Sequence, residues 1–375
     1  MKDKIIFSRI SMTSNVNISL LVFQLSALLS DIGLNIREAH VFCTVDGFSL
    51  DVFEVDGWHA EDTDGLYKAI EIAIRKSKSS LLASPGGQLS VRRSPSLYKI
   101  SESWEIDRRL LKIGEKIASG SCGDLHRGVY LDQDVAVKII RAELLNEVLL
   151  DEFIQEVAIL REVEHNNVVR FIGACTRSPF FIIVTEYMPG GSLFDYLQMN
   201  HSNMKLPQVL SFAIDVSKGM EYLHKKHIIH RDLKTANLLM NVNNVAKVAD
   251  FGVARFQNRG GVMTAETGTY RWMAPEVINH LPYDHKADVF SFAIVLWELV
   301  TGKVPYDAMT PLQAALGVGQ GMRPTIPKDA HPKLRDLMLC CWESSPELRP
   351  EFSQITSLLQ SLLRHISAQP DVATS

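Results

Sequence analysis

Apolar and polar positions in the first 76 residues alternate with two different periods. Three segments rich in β-branched and aromatic residues are predicted as strands, namely 5–10, 36–44 and 50–55. Leucine, isoleucine and alanine recur three and four positions apart in 19–32 and 63–75, which predicts two amphipathic helices. Asp46-Gly47 is a strong turn signal between the last two strands. The resulting order, βαββα, predicts a small α+β domain with its helices on one side of the sheet.

A serine-rich stretch follows and separates this pattern from the rest of the chain. Residues 77–104 also contain Pro85-Gly86-Gly87, and a segment of this composition buries too little apolar surface to fold alone. We therefore predict a first domain at 1–76, a flexible linker at 77–104, a second domain at 105–365 and a polar tail at 366–375.

The second domain has a more varied pattern. Residues 113–137 predict three short strands, and the segments 151–163 and 206–226 predict amphipathic helices. Residues 289–300 are apolar on nearly every side, which is typical of a helix that is buried all round.

The composition excludes several classes of protein. Of the 375 residues, 46% are hydrophobic and 22% are charged, and the net charge of −4 leaves no basic excess that would bind nucleic acid. The five cysteines are scattered without metal-ligand spacing, so we expect reduced thiols in a cytosolic protein. The chain starts without a signal-peptide pattern, and its longest apolar runs are interrupted or too short to span a bilayer. We therefore expect no membrane partner.

Two segments near the start of the second domain suggest a phosphate site. Residues 118–123 form a glycine-rich turn whose backbone N–H groups can approach phosphate oxygens, although an ordinary hairpin turn explains them equally well. In the next predicted strand, Ala136 and Lys138 share one face, and Val135 and Val137 share the other. A small residue and a long cation are thus predicted to face the turn, and a solvated lysine on an edge strand is the alternative.

Glu156 offers this lysine a partner. It lies with Phe153 and Leu160 on the apolar face of the predicted helix 151–163, where an unpaired carboxylate is costly to bury. A tolerated glutamate at the edge of that face is the alternative. We predict an ion pair between Glu156 and Lys138.

The most specific motif is the octapeptide His-Arg-Asp-Leu-Lys-Thr-Ala-Asn at 230–237. Asp250-Phe251-Gly252 begins thirteen positions after its last residue. Phosphoryl transfer to a hydroxyl needs a carboxylate that accepts the proton, a cation near the γ-phosphate and oxygen ligands for Mg²⁺. The candidates for these tasks are Asp232, Lys234, Asn237 and Asp250.

With these motifs in place, residues 105–365 resemble a eukaryotic protein kinase catalytic domain. Glu276 matches the end of the family's activation segment, Arg349 matches its ion-pair partner, and Asp288 matches the residue that holds the catalytic loop. The resemblance implies a bilobal α+β fold and an ATP-dependent kinase that acts on protein substrates. The departures from the family pattern lie in the lid, at Ala118, Cys122 and Leu125.

The resemblance also assigns roles to individual residues. Asp232 is implied as the catalytic base, and Glu156 as the residue that holds Lys138 on the α- and β-phosphates. Asn237 and Asp250 are implied as ligands of Mg²⁺, with Mn²⁺ as an alternative. ATP is expected to contact the lid, the adenine pocket and the hinge at Ile117, Ala118, Gly120, Gly123, Leu125, Ala136, Lys138, Thr185, Glu186, Met188 and Leu239.

Other motifs indicate a subgroup. Lys234 is typical of serine/threonine kinases, whereas 271–276 and 190–193 resemble the tyrosine-kinase-like group, and the whole resembles plant Raf-like kinases. The first domain resembles an ACT domain, a ferredoxin-like fold that often binds amino acids. Together the two domains resemble plant Ser/Thr/Tyr kinases that phosphorylate chloroplast transit peptides. The resemblance implies transfer to Ser or Thr, with Tyr as a further acceptor, and an ACT-like domain that binds an amino acid or dimerises.

Arg231 beside Asp232 implies regulation by phosphorylation, because an arginine there can pair with a phosphate on the activation segment. Thr264 and Thr267 are the predicted acceptors, modified by an upstream kinase or by the protein itself. Two rival interpretations stay open. One is a pseudokinase scaffold that binds without transferring phosphate, and the other is an amino-acid sensor whose first domain is the active part.

Overall fold

The chain divides into two compact units near residue 100, and each is described by itself. The structure, a computed structural model, describes residues 8–14, 35–43, 49–56, 65, 104–120, 123–141, 147–176, 180–199, 204–257 and 270–368. The linker 77–104, except for its last residue, and most of the tail 366–375 lie outside the described residues. The predicted domain boundaries therefore stay predictions.

The first unit contains a three-stranded antiparallel sheet in the order β1-β3-β2, formed by β1 (Ser8–Ser14), β2 (Asn35–Cys43) and β3 (Ser49–Asp56). Because β3 pairs antiparallel with both neighbours, β1 and β2 run in the same direction on either side of it, as in a split βαβ motif. Of the two predicted helices, 19–32 lies outside the described residues, and Gly65, in helical conformation, is the one residue of 63–75 that is described. The ACT-like assignment stays a prediction.

The first strand differs from the sequence prediction. It continues to Ser14, beyond the predicted end at Ile10, and pairs with β3 along its whole length from Ser8↔Val55 to Ser14↔Ser49. The prediction ended the strand where the apolar residues of 5–10 end. The more polar residues that follow still continue the strand, because they pair with β3.

The second unit begins with a five-stranded antiparallel sheet in the order β4-β5-β6-β8-β7. Its strands are β4 (Leu111–Ser119), β5 (Gly123–Tyr130), β6 (Gln133–Ile140), β7 (Phe171–Cys175) and β8 (Ile182–Glu186). Helix α1 (Glu147–Leu160) contributes side chains to the apolar core. Its Phe153 makes an edge-to-face contact with Phe181, with the ring centres 5.5 Å apart. This helix carries Glu156 towards the sheet.

The remainder of the second unit is mainly helical. Its helices are α2 (Leu193–Met199), α3 (Leu206–Lys225), α4 (Pro275–Ile278), α5 (Lys286–Thr301), α6 (Pro311–Gly319), α7 (Pro332–Cys341) and α8 (Phe352–Ser367). Helix α5 is buried along almost its whole length and ends at Gly302, which has the left-handed φ of 65° that favours glycine. The prediction of an interior helix at 289–300 is confirmed.

Two short antiparallel pairs bring the motif-bearing loops together. β9 (Ile228–Ile229) pairs with β12 (Arg255–Phe256), and β10 (Leu238–Met240) pairs with β11 (Ala246–Val248). The loop 230–237 runs from β9 to β10 and the loop 249–254 runs from β11 to β12, so each of the two pairs holds one end of the first loop against one end of the second. The octapeptide motif and Asp250 meet for this reason.

The segment after β8 connects the sheet to the helical part. Gly190 N–H donates to the Met240 carbonyl (3.0 Å), and Met240 N–H donates to the Gly191 carbonyl (2.9 Å). A Cβ at Gly190 would lie 2.8 Å from the same Met240 oxygen, so this close approach requires glycine. The two-lobed α+β architecture expected for the second domain is present. In the described part of the chain, no helix combines the length and apolar character needed to cross a membrane.

Candidate active site

A buried ion pair joins the sheet to helix α1. Lys138 Nζ lies 2.9 Å and 2.8 Å from the two carboxylate oxygens of Glu156, so the predicted pair is confirmed. Burial raises the pKa of the Glu156 carboxyl above its ordinary value, although the charge of Lys138 pulls it down. Val135 and Val137 are fully buried on the opposite face of β6, as the alternation predicts. The pair therefore fixes the lysine on the cleft side of the sheet.

Asp250 adds a second carboxylate to this lysine. Its Oδ1 lies 3.8 Å from Lys138 Nζ and accepts a hydrogen bond from Gly252 N–H (3.3 Å). Its backbone has a left-handed φ of 62°, and half of its side chain is open to solvent. Partial desolvation by the surrounding protein raises the pKa of Asp250, but the charge of Lys138 and the hydrogen bond from Gly252 N–H outweigh it, so the pKa is lowered overall. The group is thus held as an accessible anion.

A second cluster surrounds Asp232 in the loop after β9. Asn237 Nδ2 donates to Asp232 Oδ2 (2.7 Å) and to the Asp232 carbonyl (2.8 Å), and Lys234 Nζ lies 2.8 Å from the same Oδ2. Asp232 Oδ1 is buried and has no hydrogen-bond partner among the residues that the structure describes. Oδ2 therefore accepts from two side chains, whereas Oδ1 is a buried acceptor that can take a hydrogen bond from a ligand.

The backbone of this loop is held by Asp288 of helix α5. The Asp288 carboxylate accepts hydrogen bonds from His230 N–H (2.9 Å), Arg231 N–H (2.8 Å) and His224 Nε2 (2.9 Å). Burial raises the pKa of Asp288, but these donors outweigh it and hold it below its ordinary value. Arg231 adopts a left-handed φ of 71°, and this anchor compensates for that strained backbone. The expectation for Asp288 is confirmed.

His230 and Phe251 link the two clusters. His230 Nε2 donates to the Ala249 carbonyl (3.0 Å), and its ring makes an edge-to-face contact with Phe251 at 5.3 Å. Both side chains are fully buried. Because Phe251 follows Asp250 directly, its burial holds Asp250 towards Lys138.

The lid residues lie at the turn between β4 and β5. Gly120 N–H donates to the Gly123 carbonyl (2.8 Å), Ala118 pairs with Leu125 across the strands, and Ile117 is exposed. A Cβ at Gly123 would collide with the Ile139 carbonyl oxygen of β6, so glycine is required there by sheet packing. Ser121 and Cys122 lie outside the described residues. The turn is closed by its own backbone.

The predicted adenine and hinge residues lie on neighbouring strands. Ala136 pairs with Thr185 across β6 and β8, and Met188 packs with Leu239 in a small apolar cluster. The Glu186 carboxylate accepts from Lys247 Nζ (2.6 Å) and from Arg170 N–H (2.7 Å), so its side chain is committed to the fold. Glu186 can therefore serve a ligand through its backbone alone.

The predicted regulatory residues are described in part. Arg231 Nη1 donates to the Val253 carbonyl (3.0 Å), and its guanidinium lies 5.8 Å from the Tyr283 ring centre. Thr264 and Thr267 lie outside the described residues, so their relation to Arg231 stays a prediction.

The expected partner of Glu276 is confirmed. Arg349 Nη1 and Nη2 lie 2.6 Å and 2.8 Å from the two Glu276 oxygens, and neither side chain is exposed to solvent by more than 6%. This fork ties the start of α4 to the segment before α8.

Sequence reasoning missed one further buried carboxylate, Glu298 of helix α5. Thr235 Oγ1 donates to its Oε1 (2.7 Å), and Trp272 Nε1 donates to its Oε2 (2.7 Å). Burial raises the pKa of Glu298 to about 7, against the pull of both donors. The available signal was a charged residue inside an otherwise apolar helix, the same signal that identified Glu156.

We expect Glu298→Gln to raise the thermal stability of the protein above pH 7. The folded protein keeps the Glu298 proton up to about pH 7, whereas the unfolded chain releases it near pH 4.5. Wild-type stability therefore falls between these values, while glutamine does not titrate. Melting temperatures from pH 4.5 to 8 would show a difference that grows towards pH 7 and then stays constant. The exposed control Glu347→Gln should show no such growth, and a pH-independent difference for Glu298→Gln would contradict the prediction.

The two clusters form one constellation with a definite chemistry. Lys138 and Lys234 supply cations, and Asn237 Oδ1 and Asp250 supply oxygens of the kind that bind Mg²⁺. Mg²⁺ usually takes one or two protein oxygens and completes its shell with phosphate and water, so this donor set fits it. The lone acceptor at Asp232 Oδ1 is suited to a hydroxyl group.

Known proteins are similar to this chain in sequence. A family model described as protein tyrosine and serine/threonine kinase matches residues 111–359. The chain is 55% identical over 358 residues to the serine/threonine-protein kinase STY17 of Arabidopsis thaliana, with 92% of this chain and 63% of that protein covered. It is also 55% identical to STY46 over 361 residues (93% and 63%), again from Arabidopsis thaliana.

A third relative, the serine/threonine/tyrosine-protein kinase HT1 of Arabidopsis thaliana, is 44% identical over 265 residues, which cover 69% of this chain and 68% of HT1. The chain spans slightly less than two thirds of the length of STY17 and STY46. From the family match and these identities, the chain belongs to the protein tyrosine and serine/threonine kinase family.

Proposed function

We propose that this protein transfers the γ-phosphate of ATP to serine or threonine side chains of proteins, with tyrosine as a further acceptor. The observation that carries the proposal is Asp232, which has one oxygen held by Asn237 and Lys234 and the other without a partner among the described residues. The names of similar proteins support the acceptor class, since two are serine/threonine kinases and one is a serine/threonine/tyrosine kinase.

The groups divide the reaction between them. Asp232 Oδ1 orients the acceptor hydroxyl and takes its proton as the hydroxyl oxygen attacks the γ-phosphorus, while the bond from that phosphorus to the β–γ bridging oxygen breaks and ADP leaves. Lys234 stays 2.8 Å from Oδ2, where its charge can also stabilise the transferred phosphoryl group. Lys138, which is held by Glu156, would contact the α- and β-phosphates. Bound Mg²⁺ neutralises the phosphate charge, and Asn237 and Asp250 would hold it.

The nucleotide would lie between the lid and the floor of the cleft. Ala136 and Leu239 would enclose adenine, Thr185 would border it, and the backbone of 186–188 would meet its polar edge. The lid residues Ile117, Ala118, Gly120, Gly123 and Leu125 would cover the phosphates. The exposure of Ile117 leaves an apolar side chain available for a ligand.

Phosphate transfer from labelled Mg·ATP to casein and to the protein itself tests the proposal. We expect phosphoserine and phosphothreonine after acid hydrolysis, with any phosphotyrosine a minor product. Removal of Mg²⁺ by a chelator should abolish transfer, and Mn²⁺ should restore part of it. If the protein binds ATP but transfers no phosphate, and still transfers none after it has been treated with an active upstream kinase, the proposal is overturned and the protein is a scaffold.

We further propose that phosphorylation of Thr264 or Thr267 activates the enzyme through Arg231. The support is the position of Arg231, whose backbone is fixed beside Asp232 by Asp288. Preincubation with ATP or an upstream kinase should raise wild-type activity, and the double variant Thr264→Ala, Thr267→Ala should stay at the initial rate. Ser353→Ala, on the exposed side of α8, is the control. Full activation of the double variant would contradict this mechanism.

The function of the first unit is a separate proposal. An ACT-like domain would bind an amino acid or pair with a second copy, and the strand order β1-β3-β2 is compatible with that fold. Two measurements on the full chain distinguish amino-acid binding from dimerisation. Calorimetric titration with amino acids detects binding, and sedimentation detects a dimer. Chloroplast transit peptides are the first protein substrates to assay, and a cytosolic location is expected from the sequence.

A further inference from the structure

A charged cluster lies directly after the lid turn and joins three strands of the sheet. Asp124, the second residue of β5, has its Oδ1 2.7 Å from Arg141 Nη2 and 3.1 Å from Lys116 Nζ. Lys116 belongs to β4 and Arg141 directly follows β6, so the two cations come from the strands on either side of β5. A single carboxylate oxygen therefore connects β4, β5 and β6. We call these three residues the lid clamp.

The clamp contacts β4 where the pairing of this strand is irregular. The register of β4 against β5 shifts between Ile113 and Lys116, and again between Lys116 and Ala118. Such irregularities interrupt the ladder of backbone hydrogen bonds and bend the strand, and they are common next to active sites. The backbone thus holds this part of β4 less firmly than a regular ladder would. The ion pair of Lys116 with Asp124 adds a restraint at this point.

The β5 side of the lid is anchored more firmly. A Cβ at Gly123 would collide with the Ile139 carbonyl oxygen, so β5 packs closely on β6 here. Gly123 also accepts the hydrogen bond from Gly120 N–H that closes the turn. Because Asp124 directly follows Gly123, its contact with Lys116 ties the irregular β4 side of the lid to this closely packed side.

The clamp is charged and lies on an exposed surface. Hydrogen bonds from Arg141 and Lys116 hold the pKa of the Asp124 carboxyl well below its ordinary value, although partial burial raises it. The exposed fractions of the side chains are 26% for Asp124, 35% for Arg141 and 47% for Lys116. Exposed ion pairs contribute little to the free energy of unfolding of a whole protein. The effect of the clamp is therefore expected in the local position of the lid.

We propose that Asp124 is a positioning residue that holds the lid over the phosphates of the bound nucleotide by drawing Lys116 and Arg141 together. This rests on the proposed kinase function, in which the lid covers the phosphates. A carboxylate repels phosphate, so Asp124 acts through the lid and not on the nucleotide directly. Without its charge, Lys116 and Arg141 repel each other across the base of the lid. The clamp should therefore strengthen the binding of the phosphates and leave the binding of adenosine unchanged.

Calorimetric titration of the full chain separates these two effects. We expect Asp124→Asn to weaken the binding of a non-hydrolysable Mg·ATP analogue by about threefold to fivefold, the worth of a small exposed ion-pair network, and that of adenosine by less than about 1.5-fold. Because salt screens such contacts, the difference between variant and wild type should shrink between about 0.05 M and about 0.5 M salt. Asp124→Glu can still reach both cations and should bind the analogue like the wild type.

The matched control is Asp134→Asn. Asp134 pairs with Arg127 (2.9 Å) near the other end of the same two strands, and both of these side chains are also exposed. This control should change neither affinity. Arg141→Met should reproduce the effect of Asp124→Asn, and the double variant should be less than additive because both changes break the same contact. All variants should melt within about 2 °C of the wild type.

The outcomes distinguish the clamp from the kinase function. Unchanged or tighter binding of the analogue by Asp124→Asn would overturn the proposal, and so would an equal loss for the analogue and for adenosine. In steady-state transfer, KM for ATP should rise and KM for casein should not. If the wild-type protein binds the analogue but transfers no phosphate, the kinase function is refuted, and the titrations still decide the role of Asp124. A wild-type protein that binds no analogue would overturn both proposals.

Discussion

Replacing Asp232 with asparagine is expected to lower phosphate transfer to roughly one hundredth of the wild-type rate or less, the usual worth of a general base. Asparagine has nearly the same shape, so Asn237 and Lys234 keep a neighbour in that place. It cannot take up the proton of the acceptor hydroxyl. The loss should therefore appear in kcat, with the affinity for Mg·ATP unchanged within about a factor of two.

The matched control is Asp336→Asn, which neutralises an exposed carboxylate on helix α7. It should keep full activity and the same melting temperature. Single-turnover transfer to casein and binding of a fluorescent ATP analogue measure the two effects separately. Transfer by Asp232→Asn at more than half the wild-type rate would show that the unpartnered oxygen is not the proton acceptor.

The charged part of the site was predictable because charge in an apolar context is costly. Glu156 lies on the apolar face of α1, and its need for a partner favoured Lys138 over the alternative of a tolerated glutamate, as the structure confirms. The same logic applies to Glu298, but its partners could not be identified from the sequence. Thr235 and Trp272 are ordinary in composition, and only the fold brings them to one carboxyl group.

Backbone requirements were less accessible from the sequence. Gly123 was assigned to the lid because glycine permits phosphate approach, yet the close packing of β5 on the Ile139 carbonyl already requires glycine there. Gly120 meets no such obstacle and remains the better candidate for contact with phosphate. A sequence shows where glycine stands, but the reason depends on a neighbouring strand.

Strand pairing explains two features that the sequence pattern did not: why the motif loops lie together, and where the first strand ends. The octapeptide and Asp250 were assigned to one site from their chemistry, and the paired strands β9–β12 and β10–β11 supply the physical reason for their proximity. In the first unit the strands were predicted approximately, but the end of β1 was wrong because pairing with β3 extends it. Strand ends depend on the partner more than on propensity.

Removal of Arg349 is expected to produce the largest loss of stability, about 3–5 kcal/mol for Arg349→Leu. The guanidinium is fully buried and donates to both Glu276 oxygens and to three backbone carbonyls, those of Glu343, Ser344 and Lys286. Leucine would leave the Glu276 carboxylate buried and unpaired. Because 1 kcal/mol shifts the melting temperature of a domain of 150–250 residues by about 2–4 °C, we expect a decrease of roughly 10 °C.

A second substitution shows whether the unpaired charge causes this loss. Glu276→Met in the Arg349→Leu background removes the stranded carboxylate, and it should recover part of the stability but not the carbonyl contacts. Arg109→Leu is the control, because Arg109 makes a similar contact with Asp107 on the exposed surface and should leave the melting temperature unchanged. If Arg349→Leu melts like Arg109→Leu, the buried fork does not stabilise the kinase unit. If the double variant melts lower than Arg349→Leu alone, packing around Glu276 outweighs the cost of its charge.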